Sequence, residues 1–340
     1  MANSSLLIAT PNVIAPSPRI DEMAGRVIEK VLGSAGLPPP PGVAMRVVQA
    51  TADPDCTTAA IVEILKHEPT LCAAVLKAIN SCVYGLPSPV ATLDRAVLLL
   101  GMRTVRSMVL TLALPAMRFP TVPDAEFRRH WLSSVSGAII ARELCLRLGL
   151  RHAEEDLVCG LLRDIGGLAL RQVFPFESER YRTGIATRPF STHMSFEKSV
   201  YGVDHAVMSA EMLRQWRLPE SICEPVRHHH HPDAMKAGEP DMIARAHRLW
   251  FVEALVNVDI VTQSPTELDA LLVAAEKYDM SIADVIAFLQ SVVPKVEAFT
   301  SLLSIEVGRC PDFAATLAHG REALVNLSHT GDTPAVPAAR

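Results

Sequence analysis

Residues 160–166 (GLLRDIG) place a charged pair, Arg163 and Asp164, inside an otherwise apolar helical pattern. Burying a charge is costly unless a partner neutralises it, so both side chains need partners in the fold. A carboxylate can ligate a metal ion, whereas a guanidinium has no lone pair to donate and keeps its charge. Asp164 is therefore a candidate ligand, and Arg163 is a fixed cation that would repel a metal ion. In the alternative interpretation the pair only caps or braces helices. We favour that structural role or the role of a vestigial site.

Histidines form the second group that could do chemistry. His205 follows Asp204, and four consecutive histidines occupy residues 228–231. Imidazole is the commonest transition-metal ligand in proteins. Consecutive histidines at a helix end point in different directions, so at most two of the four would serve one site. In the alternative interpretation, His229 and His230 cap the preceding helix and hydrogen-bond to neighbouring segments.

The elements that must position these residues are helices. Apolar residues recur every three or four positions through most of the chain, and no run of alternating strands is evident. The pattern predicts a helix from Asp21 to Gly33 and an extended connector at the prolines of residues 37–41. Short helices follow as far as Arg118, with a stop at Gly101. The fold class predicted from this pattern is all-α.

The part of the chain that carries the charged pair is predicted to have longer helices. Residues 121–124 (TVPD) predict a hinge between two helical lobes, after which one helix runs to Gly149. Residues 154–173 predict a single buried helix, and residues 174–194 predict a polar, irregular segment.

These patterns predict a domain organisation. Residues 1–18 are predicted to be a flexible N-terminal arm, and residues 329–340 a flexible tail. Residues 19–120 form an N-terminal helical lobe and residues 121–328 a second helical lobe, and the two pack into one unit. We expect a groove between the lobes to hold a partner or a small ligand.

Composition excludes several classes of protein. The chain has 340 residues, 49% of them hydrophobic and 20% charged, which excludes a mainly disordered protein. The net charge of −5 gives no global basic field for nucleic acid. No apolar stretch approaches a membrane span, and the N-terminus lacks the basic region of a signal peptide. Seven cysteines without a CxxC pair predict reduced thiols in a cytoplasmic protein.

The order of motifs between about residues 37 and 232 resembles the HDOD family, the HD-related output domains of bacterial signalling proteins. The family usually has Asp-Pro where this sequence has Glu68 and Pro69. The residues that carry the resemblance are Leu37, Pro38, Ile64, Glu68, Pro69, Thr70, Leu71, Asn80, Ser81, Tyr84, Ala96, Leu100, Gly101, Trp131, Ser134, the segment 160–166, Glu197, Gly202, His205, Trp216, Arg217, Leu218, Pro219, His229 and His230.

The resemblance implies a small N-terminal helical bundle packed on an HD-like helical bundle. It also implies a degenerate metal site, because catalytic HD hydrolases carry adjacent His and Asp where this chain has Arg163 and Asp164. The first expected histidine falls at Ser133, and His130 lies three residues away, about 60° around the helix. The late aspartate has two candidates, Asp259 and the neighbourhood of His247. The vestigial site is thus predicted to comprise Ser133, Arg163, Asp164, His205, His229 and His230.

The function implied is a non-catalytic signal-transduction module that acts through protein–protein contacts and senses a nucleotide or another small ligand at the vestigial site. We predict no catalytic residue, no bound metal and no cofactor. The partner is a kinase, a cyclic-di-GMP enzyme or a transcription regulator, without direct nucleic-acid or membrane contact. The alternative is a metal-dependent phosphohydrolase acting on a nucleotide or cyclic dinucleotide. The sequence leaves the pathway and the oligomeric state open.

Overall fold

The computed structural model describes residues 18–53, 55–114, 117–235, 238–307, 320–322 and 325–326. These residues contain helices and no strand, which confirms the all-α fold. The first part of the chain forms the helices α1 (Pro18–Leu32), α2 (Gly42–Ala52), α3 (Thr58–Lys66), α4 (Pro69–Ile79) and α5 (Leu93–Ala113). Of the predicted flexible arm at residues 1–18, only Pro18 is described, as the first residue of α1, and the predicted tail at residues 329–340 lies outside the described residues.

Local sequence explains how these first helices begin and end. The Thr57 and Thr92 side chains accept hydrogen bonds from backbone N–H groups in the first turns of α3 and α5. Gly101 has φ 81°, a value that suits glycine, and it kinks α5 where a helix stop is predicted. The prolines of residues 37–41 are non-helical, as their fixed φ and missing N–H require.

The second part of the chain contains a longer series of helices. These are α6 (Asp124–Arg147), α7 (Ala153–Leu162), α8 (Ile165–Val173), α9 (Pro175–Ile185), α10 (His193–Tyr201), α11 (His205–Gln215), α12 (Glu220–Arg227), α13 (Pro240–Val256), α14 (Val258–Val261), α15 (Pro265–Glu276) and α16 (Ile282–Val307). Helices α6 and α7 pack closely, α8 packs on α11, and α13 lies against α6, α7 and α12.

Two predictions of local structure in this part are wrong. Residues 154–173 do not form one helix, because the chain turns at Arg163 and Asp164 between α7 and α8. Asp164 leaves helical geometry with φ −107° and ψ 2°. Residues 174–194 are not irregular either, since α9 occupies most of the segment. Pro175 begins α9 at a position where a missing N–H costs nothing, so its proline starts a helix rather than preventing one.

Buried apolar side chains form one continuous cluster that extends from Val31 to Phe299. Helix α1 packs against α8 and α11, α5 packs against α7, and α16 contacts both α4 and α6. These contacts join residues of the two predicted lobes, so the described chain packs as one body. The lobe boundaries themselves remain a prediction.

A buried ionic cluster holds α13 in place against α7. Arg245 Nε donates to Asp156 Oδ1 at 2.6 Å, and Arg248 Nε donates to Asp156 Oδ2 at 2.5 Å. All three side chains are buried. Because α13 also carries Trp250 and Glu253, this anchor sets the position of two residues that face the candidate site.

Within the described residues, α5 is the one helix long and apolar enough to span a membrane by length and composition. More than half of its apolar window is buried in the fold, and Gly101 kinks it. Both features favour a core helix, as predicted for the apolar stretch that follows Arg106.

Candidate functional site

The turn between α7 and α8 directs two adjacent side chains to different surroundings. Arg163 ends α7 and enters the packing between α6, α7 and α13, where its side chain is completely buried. Asp164 lies on the other side of the turn and lines a cavity. Gly166 follows in α8, and a Cβ there would lie 2.4 Å from the backbone nitrogen of Ser209 and 2.5 Å from the carbonyl oxygen of His205. This close approach of α8 and α11 brings His205 to Asp164.

Arg163 is surrounded by hydrogen-bond acceptors from three helices. Its Nε donates to Glu253 Oε2 at 2.7 Å and lies 3.2 Å from Asp164 Oδ2. Its Nη1 donates to the Gly160 carbonyl at 2.6 Å, and its Nη2 donates to Ser133 Oγ at 3.3 Å. A permanent cation therefore occupies the space between Ser133, Asp164 and Glu253. The sequence analysis had assigned Ser133 and Asp164, but not Glu253, to a vestigial metal site.

Asp164 and three histidines converge beside this cation. Asp164 Oδ1 lies 3.3 Å from His205 Nε2 and 3.5 Å from His229 Nε2. His230 Nε2 lies 3.0 Å from His205 Nε2. One ligand atom from each of the four residues falls within 4.8 Å of every other. The structure thus assembles all six predicted site residues, namely Ser133, Arg163, Asp164, His205, His229 and His230.

Hydrogen bonds from behind orient two of the imidazoles. His205 Nδ1 lies 2.7 Å from Glu197 Oε2, and the same oxygen accepts from the His205 backbone N–H. His229 Nδ1 lies 2.6 Å from the carbonyl oxygen of Val226. Since a carbonyl only accepts, His229 carries a proton on Nδ1 and directs Nε2 at Asp164. This bond caps the end of α12, as in the alternative interpretation of His229, and it leaves Nε2 free to face Asp164.

Charge and burial set the protonation of the cluster. Burial alone would raise the pKa of Asp164, but the Arg163 guanidinium beside it holds this pKa well below its ordinary value. Burial lowers the pKa of His205, yet Glu197 and Asp164 outweigh it and raise the pKa well above 6.5. For His230, burial and the neighbouring His229 and His205 lower the pKa well below its ordinary value.

Three residues of the cluster, Asp164, His205 and His230, line a cavity of about 940 Å³. This volume falls within the range of small-molecule pockets, which is about 300–1,000 Å³. Trp250 and Tyr181 contribute aromatic surface to its wall, and Arg129 contributes an exposed cation. Every lining residue lies at or beyond Thr121. The cavity therefore belongs to the second part of the chain, and it is not the predicted groove between the lobes.

His130 lines the same cavity but does not join the four-residue cluster. Burial, followed by the positive charge of Arg171, lowers the pKa of His130 to about 3. The unfolded chain binds this proton near pH 6.5, whereas the folded chain binds it only near pH 3. Folding stability that depends on His130 is therefore lost as the pH falls below about 6.5.

We expect His130→Gln to flatten this acid dependence. Between pH 7 and pH 5 the wild type should lose about 1–2 kcal/mol more unfolding free energy than the variant. Urea unfolding at a series of pH values measures the difference, with His67→Gln, at an exposed position, as the control. Parallel pH profiles for wild type and His130→Gln would contradict the burial of this imidazole as a neutral group.

One residue beside the cluster, Glu253, was not identified by sequence reasoning. Glu253 places a carboxylate against Arg163, whereas for the late carboxylate the sequence suggested Asp259 or the neighbourhood of His247. His247 instead lies 3.5 Å from Asp233, and Asp259 does not line the cavity. The signal that could have identified Glu253 is helical spacing, because Trp250, Glu253 and Asn257 share one face of the α13 region and line the cavity together.

The part of the chain that carries this site matches a known domain family. The model of the HDOD domain matches residues 37–232, which is more than half of the chain. The chain belongs to the HDOD family. The match ends at Pro232, immediately after the histidine run, so all six predicted site residues fall within the HDOD domain, whereas Glu253 and Trp250 lie beyond it.

Relatives of known sequence or structure extend this assignment. An uncharacterized protein of Treponema pallidum (strain Nichols) is 24% identical over 206 residues, which are 60% of this chain and 40% of that protein. The chain thus spans less than half the length of that relative.

Solved structures confirm the fold of the HDOD chain. An HDOD domain protein of unknown function from Geobacter sulfurreducens superposes with a TM-score of 0.64 at 21% identity, covering 83% of this chain and 98% of that one. A protein of Shewanella amazonensis SB2B described as "Putative phosphohydrolase" superposes with a TM-score of 0.57 at 23% identity, covering 89% and 98%.

Proposed function

We propose that this HDOD protein is a non-catalytic, cytoplasmic signal-transduction module that acts through protein–protein contacts and senses a nucleotide or a similar small ligand in the cavity above Asp164. The partner proposed is a kinase, a cyclic-di-GMP enzyme or a transcription regulator. The observation that carries the proposal is the Arg163 guanidinium, fixed between Ser133, Asp164 and Glu253.

A guanidinium in that place favours binding over hydrolysis. A metal ion promotes phosphate hydrolysis by binding water and lowering its pKa, and by clamping phosphate oxygens. A guanidinium supplies positive charge but coordinates no water, and Arg163 is completely buried, so it reaches no substrate. The position that Arg163 fills thus keeps a positive charge, but no water is activated there as a nucleophile.

The cavity has the features that binding a nucleotide would need. Its volume suits a molecule of that size, and aromatic side chains such as Trp250 can stack on a base. Arg129 at the exposed rim suits a phosphate, because guanidinium and phosphate make charge-assisted hydrogen bonds.

Equilibrium binding and turnover measurements on one sample test the proposal. We expect at least one nucleotide or cyclic dinucleotide from a broad panel to bind, and chromatography to find it unchanged after long incubation. Trp250→Ala should weaken binding by about tenfold or more, since stacking on an aromatic side chain contributes about 1–3 kcal/mol. Phe176→Ala is the matched control, because Phe176 is exposed and lies outside the cavity.

A second candidate function, a metal-dependent phosphohydrolase, is favoured by one observation, the carboxylate and three imidazoles of the Asp164 cluster. Steady turnover of a nucleotide that Asp164→Asn abolishes would establish this alternative and reject the non-catalytic proposal. The absence of any nucleotide binding, with or without added metal, would reject the ligand-sensing part.

A further inference from the structure

We infer that one divalent transition-metal ion binds between Asp164, His205, His229 and His230, and that its open side faces the cavity, where it anchors an anionic group of the ligand. This inference deepens the proposed function, on which its ligand-anchoring part rests. It replaces the expectation from sequence that no metal binds.

Three separations among the four donor atoms are close to those of ligands around one ion. Nitrogen and oxygen ligands about 2.0–2.1 Å from a tetrahedral ion lie roughly 3.3–3.5 Å from one another. The observed separations are 3.3 Å and 3.5 Å from Asp164 Oδ1 to His205 Nε2 and His229 Nε2, and 3.0 Å from His205 Nε2 to His230 Nε2.

Two buried atoms in the cluster lack a hydrogen-bond partner in the structure. They are His229 Nε2 and Asp164 Oδ1, and the His229 side chain is completely buried. His229 donates from Nδ1 to the Val226 carbonyl, so its Nε2 and Asp164 Oδ1 face each other across 3.5 Å without a hydrogen bond between them. Unpaired polar atoms are costly in a low-dielectric interior, and one cation between these two atoms would satisfy both of them.

The partners behind the histidines are those expected of metal ligands. A ligating imidazole commonly donates its other N–H to a carboxylate or a backbone carbonyl, which fixes the tautomer. Glu197 lies behind His205 in this way, and the Val226 carbonyl lies behind His229. These bonds direct both Nε2 atoms toward Asp164.

Arg163 limits the site to a single ion. Asp164 bridges two positions, because Oδ2 lies 3.2 Å from Arg163 Nε while Oδ1 faces the histidines. The guanidinium fills the neighbouring position permanently, so a second ion would meet its charge. Three imidazoles and one carboxylate select Zn²⁺, Co²⁺, Ni²⁺, Fe²⁺ or Mn²⁺ over Mg²⁺ and Ca²⁺. Asp164, His205 and His230 line the cavity, so the fifth direction around the ion opens into it.

Calorimetric titration of chelator-treated protein with Co²⁺ tests the inference without any nucleotide. We expect one equivalent to bind and to give the visible absorption of a low-coordinate nitrogen–oxygen site. His230→Gln and His229→Gln should each weaken binding by more than 100-fold, and Glu197→Gln by about 10–100-fold, as for the hydrogen-bond partner of a ligand. His231→Gln is the matched control, because His231 lies beside the cluster but outside it.

Two outcomes would overturn the inference. One is no stoichiometric Co²⁺ binding by the wild type, and the other is equal weakening by His231→Gln and His230→Gln. Since His229 is completely buried, circular dichroism must show that its variant folds, and the half-buried His230 provides the second, independent variant.

Added azide tests the open side of the ion. A change in the Co²⁺ absorption on addition of azide supports a coordination position that faces the cavity, and an unchanged spectrum overturns the anchoring role. Binding of Co²⁺ without binding of any nucleotide would reject the proposed function and leave the metal site in place. Nucleotide binding without Co²⁺ binding would reject the metal site and leave the proposed function in place.

Discussion

Replacing Arg163 with alanine is expected to lower the free energy of unfolding by about 3–5 kcal/mol, the range found when one partner of a buried ion pair is removed. The side chain is completely buried and lies within hydrogen-bond or ion-pair distance of Ser133, Glu253, Asp164 and the Gly160 carbonyl. Alanine would leave two largely buried carboxylates without their cation and would open a cavity between helices.

Urea unfolding of wild type and Arg163→Ala measures this loss. Arg182→Ala is the control, because Arg182 forms an exposed ion pair with Glu179, and such pairs contribute little. Arg163→Lys should lie between wild type and Arg163→Ala, since lysine keeps the charge but cannot reproduce the planar fork. A loss no greater than that of the control would mean that water compensates Glu253 and Asp164, which contradicts the buried pair.

Gly137→Ala is expected to destabilise the protein by about 2–3 kcal/mol, and to do so only while Arg163 is present. A Cβ at Gly137 would lie 1.8 Å from Arg163 Nη1 and 2.7 Å from its Cζ. The guanidinium would have to leave its acceptors. In an Arg163→Ala background the clash disappears, and alanine in the interior of α6 should be neutral or slightly stabilising because it is a better helix former than glycine.

A double-mutant cycle isolates this coupling. We expect Gly137→Ala and Arg163→Ala to couple by at least about 1 kcal/mol, with the double variant more stable than the sum of the single changes predicts. Gly160→Ala serves as the contrast, because its Cβ would meet the Gly137 carbonyl oxygen at 2.5 Å, and removing Arg163 does not relieve a clash with backbone. Additive effects of Gly137→Ala and Arg163→Ala would show that the guanidinium does not occupy the space above Gly137.

The helical content of the fold was predictable because it depends on local pattern. Periodic apolar residues, the threonine caps and Gly101 all act within one or two turns, and the structure agrees with them. The prediction failed at residues 163 and 164, where apolar periodicity continues across a turn. No local signal marks that turn, because it is stabilised by contacts distant in sequence, including the bond from the Gly166 N–H to Ser209 Oγ.

The candidate site was predictable residue by residue, but not in its contacts. The order of motifs predicted that Asp164, His205, His229 and His230 belong to one site. In the structure these four residues lie together. Glu253 was missed because carboxylates on α13 are equivalent in sequence, and only the anchor of Arg245 and Arg248 on Asp156 determines which one faces Arg163.

Arg163 and Asp164, adjacent at the α7–α8 turn, have different surroundings, and this difference limits which substitutions the site can accept. A histidine at position 163 would remove the cation that Glu253 and Asp164 need, and Ser133 would still offer no imidazole to an ion there. Restoring a histidine at position 133 first would place an imidazole against the guanidinium. Each single step thus gives a less stable protein before the second step can compensate. The packing around Arg163 therefore opposes each substitution made alone, and a second ion beside Asp164 would require both substitutions together.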